Sequence, residues 1–158
     1  MHSHNVALPK MNETKPFENQ IKIRWSDLDP IGHVRHSVYY DLAAQLRTEL
    51  FIERGIRIEE MTRAGFGPIL FEEKSKFLRE LHFGDNLIMN GALSGLRKDN
   101  SRFAFRHEIW RNQDTLCATV EVLGAWINLK ERKLTLPPPE FLDKLSNLPR
   151  HEDFAWLD

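Results

Sequence analysis

The sequence predicts an α+β domain in which an antiparallel sheet covers one long helix. Three observations carry this. An alternating run near the N-terminus reads as a strand. A stretch with apolar residues every four positions follows it. Four further strand-like runs, separated by turn formers, complete the order.

The first strand is read over Ile21–Trp25, where Ile21, Ile23 and Trp25 alternate with Lys22 and Arg24. It runs into Ser26-Asp27-Leu28-Asp29-Pro30-Ile31-Gly32, a segment dense in turn formers. The helix is expected from His36 to Arg54, starting near His36 or Ser37, because Leu42, Leu46 and Leu50 recur with Ala43 and Phe51 alongside. Gly55 ends it, since glycine enters the left-handed region without steric cost.

A loop is read around Gly65-Phe66-Gly67-Pro68, then strands over Ile69–Leu78, Asn86–Leu96, Arg102–Trp110 and Thr115–Leu129. In the third of these Phe103, Phe105, His107 and Ile109 alternate with Arg102, Arg106 and Glu108, so one face is buried. Pro137-Pro138-Pro139 ends the sheet, and Pro139 opens a short helix to about Leu145. Residues 1–18 read as a flexible leader, 19–148 as the single domain and 149–158 as a tail that Phe154 and Trp156 can pack onto the body.

Composition narrows the function. With 158 residues the chain suits one domain and can bury a core without metal or disulfide staples. A formal net charge of -1 leaves no electrostatic footprint for nucleic acid. The single Cys117 permits no intrachain disulfide, and it reads as a small packed residue. No apolar run is long enough for a membrane span, and the polar start lacks the apolar core of a signal peptide. A cytoplasmic location is therefore expected.

The stretch Arg24-Trp25-Ser26-Asp27-Leu28-Asp29-Pro30-Ile31-Gly32-His33-Val34 resembles the first-strand signature of hotdog-fold acyl-CoA thioesterases, and the 4-hydroxybenzoyl-CoA thioesterase-like group in particular. The similarity continues through Ser37-Val38-Tyr39-Tyr40 at the helix start and through Phe83-Gly84-Asp85. His33-Val34-Arg35 departs from the apolar or aromatic run that several members carry there. The resemblance implies a hotdog fold, a five-stranded antiparallel sheet wrapped around one long helix. It also implies that Asp29 is the catalytic carboxylate and that His36 offers its backbone N–H to the thioester carbonyl.

That chemistry is reasonable from the residues. A helix N-terminus supplies free N–H groups and partial positive charge to polarise a carbonyl. Asp29 can act as general base on water or attack directly, and the sequence leaves both open. A thiolate leaves without a strong acid. Local sequence alone also allows Asp29 to be a turn residue before proline, and Asp27 is assigned to that structural role.

Gly32, His33, Tyr39 and Tyr40 are expected to line the substrate site. Arg97, Lys98 and Arg102 are candidates for the phosphates of CoA, as are Lys130, Arg132 and Lys133. His33 and His36, with Asp27 or Asp29, are ligand types that suit zinc, but only a helix beginning by His33 would give them one face, so no metal and no cofactor is assigned. One of Glu72 and Glu73 must face inward if their strand is covered on one side. The expected substrate is an acyl-CoA or an acyl-carrier-protein thioester. The competing readings are a non-catalytic acyl-CoA or carrier-protein binding module and a hydratase of the same fold. A homodimer or homotetramer is expected, because the fold resembled pairs edge to edge and a bare edge strand is a liability.

Overall fold

The structure is a computed structural model and describes residues 15–158. Its elements are β1 (Phe17–Ile21), a 3-10 turn (Trp25–Asp27), α1 (Val38–Glu53), α2 (Ile58–Arg63), β2 (Phe66–Phe77), β3 (Leu87–Arg97), β4 (Arg102–Arg111), β5 (Thr115–Asn128), β6 (Leu134–Thr135), α3 (Pro139–Ser146) and β7 (Arg150–Leu157). The sheet runs β1-β3-β4-β5-β2, antiparallel throughout, as a five-stranded path. β6 adds to β5, and β7 pairs with β3 in parallel. This is the expected hotdog arrangement with two short additions. Residues 1–14 of the expected leader lie outside the described residues, and Phe17 and Glu18 open β1.

The helix packs on the sheet through Val38, Tyr39, Ala43, Leu46 and Leu50, all at most 3% exposed. Against them stand Phe105, His107 and Ile109 of β4 and Met89 and Leu93 of β3. The expected alternation on β4 is therefore the buried face. Burying a leucine such as Leu46 contributes about 2 kcal/mol. Gly91 of β3 permits this close approach, since a Cβ there would lie 3.0 Å from Leu46 Cδ2 and 3.1 Å from His107 Cδ2.

Several boundaries differ from the sequence reading. The first strand ends at Ile21, not Trp25, and Trp25 is 81% exposed at the start of the 3-10 turn. The partner strand runs out at Leu87, and Asp27 turns the chain. Its Oδ2 accepts the Arg24 backbone N–H at 2.8 Å and its Oδ1 pairs with the Arg24 guanidinium at 2.9 Å, curling the chain before alternation can continue. Phe66 and Gly67 belong to β2 rather than to a loop, because they pair with Asn128 and Ile127. The tail forms β7, where the Arg150 guanidinium lies 4.4 Å from the Phe154 ring centre and 5.0 Å from that of Trp156.

A bulge between Leu70 and Glu72 interrupts the β2 register. It disposes of the simple inward-or-outward choice for Glu72 and Glu73, and both side chains are exposed. The other edge of β2 has no strand beside it among the described residues.

Candidate active site

Asp29 sits in a tight loop closed by a bridge between Leu28 and Val34. Its N–H donates to the His33 carbonyl at 2.7 Å, and its carbonyl accepts the Gly32 N–H at 3.0 Å. Its Oδ1 accepts the N–H groups of Ile31 and His33, each at 3.0 Å. Gly32 turns the chain at φ +85°, in the region that L side chains avoid. The other carboxylate oxygen, Oδ2, makes no hydrogen bond among the described residues. The structural and chemical readings of Asp29 thus fall on different oxygens of one side chain.

The chain then reaches α1 within a few residues. The Val38 N–H is taken by the Arg35 carbonyl at 3.0 Å. The backbone N–H of His36 donates to no acceptor among the described residues, and its side chain is exposed. His36 lies just before α1, which starts at Val38 with Ser37 as its N-cap rather than at the expected His36, and its N–H is left available to an incoming oxygen.

Asp29 and His36 border one open cavity of about 440 Å³, together with His33, Tyr39, Phe77 and Glu80. Tyr39 is buried and stacks edge-on against Phe77, with ring centres 4.8 Å apart. Burial first, then the negative groups of Cys117, Glu80 and Asp29, pushes its hydroxyl up to about 12, so it is a neutral wall of the cavity. Asp27, at 2% exposure, does not border it. Burial opposes its charge, but the hydrogen bonds and charge of Arg24, with the charge of Arg35, outweigh this and hold its carboxyl below the usual range.

The structure brings together Asp29, His33, His36 and Tyr39 of the expected site. Gly32 serves the turn, and Tyr40 packs half-buried against the core. Arg97 and Arg102 lie at the β3–β4 turn with Lys98, and Arg102 sits 5.7 Å from the centre of the Phe71 ring. None of these three borders the Asp29 cavity. Cys117 is fully buried, and burial raises its thiol above the ordinary value.

The sequence reading missed Glu80, whose carboxylate faces the cavity from the segment after β2. Glu80 Oε2 lies 3.1 Å from His33 Nε2 and 3.8 Å from His82 Nε2. The signal available was the strand-end cluster Arg79-Glu80-Leu81-His82, but nothing local in it points toward Asp29. Asp85, singled out with Gly84, accepts the His82 N–H at 2.9 Å and is reached by Arg111 at 3.5 Å.

Fold and site together define a hotdog-fold protein in which Asp29 and His36, just before α1, border one cavity. Residues 23–145 match the Thioesterase-like superfamily, and the chain belongs to that family. Among curated proteins it is 29% identical over 122 residues to the acyl-acyl carrier protein thioesterase ATL3, chloroplastic, of Arabidopsis thaliana. The ATL2 protein of the same plant is 28% identical over 124 residues. Both alignments cover 76% of this chain and 63% of the relative, so the chain spans under two thirds of the proteins it matches.

Among solved structures it superposes on Slr0204, a 1,4-dihydroxy-2-naphthoyl-CoA thioesterase from Synechocystis. The TM-score is 0.74 at 20% identity, covering 83% of this chain and 96% of that one. It also superposes on SAV2348 of Staphylococcus aureus in complex with CoA, with a TM-score of 0.77 at 17% identity, covering 92% and 89%. At such identities the likeness establishes the fold.

Proposed function

We propose that this protein hydrolyses an acyl thioester carried on CoA or on an acyl-carrier protein. The observation that carries the reading is the pairing of Asp29 and His36 in one cavity. Asp29, with one carboxylate oxygen that takes no hydrogen bond among the described residues, and His36, with an unsatisfied N–H just before α1, border the same cavity. The thioester carbonyl docks on the His36 N–H, which stabilises charge developing on oxygen. Asp29 Oδ2 then takes a proton from water as its oxygen bonds to the carbonyl carbon, or attacks that carbon itself to give a mixed anhydride that water opens. In both routes collapse breaks the carbon–sulfur bond and expels thiolate, leaving the free acid in the first and the Asp29 anhydride in the second, whose opening by water releases the acid and restores the carboxylate. Membership of the thioesterase-like family supports this, as does the thioesterase activity by which the plant relatives and the Synechocystis neighbour are named.

The working unit in this reading is a homodimer joined through β2, with a tetramer as a further step. The free β2 edge is flanked by Leu70, Phe71, Phe77 and Leu78, each at least 40% exposed. Phe77 and Leu78 also border the Asp29 cavity, so a second copy on this edge would finish its wall. Arg97, Lys98 and Arg102, outside that cavity in one chain, are kept as phosphate partners reached by a long pantetheine arm. A reducing compartment such as the cytoplasm suits the lone, buried Cys117. Among the described residues no helix is long and apolar enough to cross a membrane.

The test is thiol release from a panel of short, long and aromatic acyl-CoA and acyl-carrier-protein thioesters. Release from at least one class is expected. A folded protein that binds these thioesters but releases no thiol from any of them is a binding module, and release of water-addition product from an enoyl thioester would make it a hydratase.

A further inference from the structure

His33, Glu80 and His82 form a cluster that the thioesterase chemistry does not use. From these three residues we infer a site for a zinc-class divalent cation at the rim of the Asp29 cavity. One ring nitrogen from each histidine and one carboxylate oxygen lie within 4.8 Å of one another. Both Nε2 atoms face the same oxygen, Glu80 Oε2, at 3.1 Å from His33 and 3.8 Å from His82. A tetrahedral zinc with bonds of about 2.0–2.1 Å sets neighbouring ligand atoms about 3.3 Å apart, and the two distances bracket that value. An ordinary ion pair needs one imidazole; two imidazoles and a carboxylate this close together are a donor set that suits a divalent ion.

The backbone holds the donors in place. His33 and His82 face each other across an antiparallel bridge, and the Val34 N–H donates to the Leu81 carbonyl at 2.9 Å beside it. The two rings stand nearly perpendicular, at 86°, with centres 5.1 Å apart, so one meets the other edge-on instead of stacking face to face. A carboxylate also stands behind one ligand. Asp85 Oδ2 is 3.8 Å from His82 Nδ1, and Asp85 is itself fixed by the His82 N–H and by Arg111. At 3.8 Å Asp85 makes no hydrogen bond to the ring; a shift of a few tenths of an ångström would let Nδ1–H donate to it, the contact by which a carboxylate orients a metal-bound imidazole.

The cluster is reachable, with side chains 28%, 47% and 63% exposed for His33, His82 and Glu80. Two of the three donors border the cavity, so a fourth ligand, water or a thiolate, would come from its side. The other His-carboxylate cluster, His151-Glu152-Asp153, lacks this arrangement. There Nδ1 accepts the Asp153 N–H at 3.1 Å and Nε2 meets Glu108 at 3.3 Å, leaving no free ring nitrogen.

The test uses the full chain and is independent of turnover. Zinc binding is measured by calorimetry and cobalt binding by its visible absorption, for wild type, His82→Ala and the more conservative Glu80→Gln. Circular dichroism shows that each variant is folded. We expect one ion per chain and a tetrahedral cobalt spectrum. Loss of either ligand should weaken binding more than the roughly 10–100-fold that loss of a supporting residue costs, and Asp85→Asn should fall within that range. Absence of uptake by wild type overturns the site. Uptake undiminished in both folded variants assigns the ion elsewhere on the chain and overturns it equally, leaving His33–Glu80 as a plain ion pair.

Discussion

His33 and Asp29 exchange backbone and side-chain hydrogen bonds in both directions. The Asp29 N–H donates to the His33 carbonyl at 2.7 Å, and the His33 N–H donates to Asp29 Oδ1 at 3.0 Å. The exchange orients one carboxylate oxygen for structure and leaves the other without a hydrogen bond among the described residues. It also makes the catalytic proposal separable from the fold by mutation.

Asp29→Asn keeps an Oδ1 acceptor for the Ile31 and His33 N–H groups but removes the base and nucleophile. We expect a folded protein with unchanged thermal midpoint and thiol release reduced by at least about 10²-fold. Asp29→Ala should lose the same activity and, in addition, about 1 kcal/mol of stability through the unsatisfied turn donors. Equal activity in wild type and Asp29→Asn removes Asp29 from the chemistry.

His36→Ala retains the backbone N–H, and the imidazole it deletes is exposed. Turnover should therefore stay within about tenfold of wild type, well short of the roughly 10²–10³ lost with an oxyanion donor. A larger fall in kcat would show that the ring itself takes part.

Gly32 stands at φ +85° with nothing within 4 Å of where a Cβ would lie. Its substitution by alanine meets no clash, so the cost is conformational alone, about 1–2 kcal/mol. Urea unfolding should show that loss, and kcat should fall with it because the turn carries Asp29.

His107 is fully buried under α1. Its Nδ1 meets the Val120 carbonyl at 3.0 Å and its Nε2 faces Arg47 at 3.5 Å. Burial first, then the charge of Arg47, lowers its ring to about 3 from 6.5, against the pull of the Val120 carbonyl. The folded state binds fewer protons than the unfolded one between these values. Stability therefore falls as pH drops below 6.5, by about 1.4 kcal/mol per unit at most, until pH about 3. Denaturant unfolding at pH 7 and pH 5 should show this slope, and a folded His107→Gln variant should lose it. The same slope in both proteins would assign acid sensitivity to other groups.

Leu70→Lys places a charge beside the free β2 edge, where Leu70 is 40% exposed. Light scattering should show wild type as a dimer or tetramer and the variant shifted toward monomer, with thiol release reduced alongside. A wild-type monomer with full activity would remove the second copy from the site.

Local pattern alone determined much of this protein. Period-four leucines produced α1, because a helix must bury one stripe. Alternating Phe103, Phe105, His107 and Ile109 produced β4, because a strand presents alternate residues to one face. The run from Asp27 to Gly32 marked the loop and Asp29 within it. Where the partner strand ran out at Leu87 and Asp27 drew in Arg24 to turn the chain, periodicity failed. Only the tertiary structure decided which of Asp29's oxygens is free, that Glu80 and His82 lie against His33, and that Arg97 and Arg102 stand apart from the cavity. Glu80 is 47 positions along from His33, and residues so far apart meet only when the sheet closes beside the helix. Contacts across such separations follow from sheet topology, which no local spacing encodes.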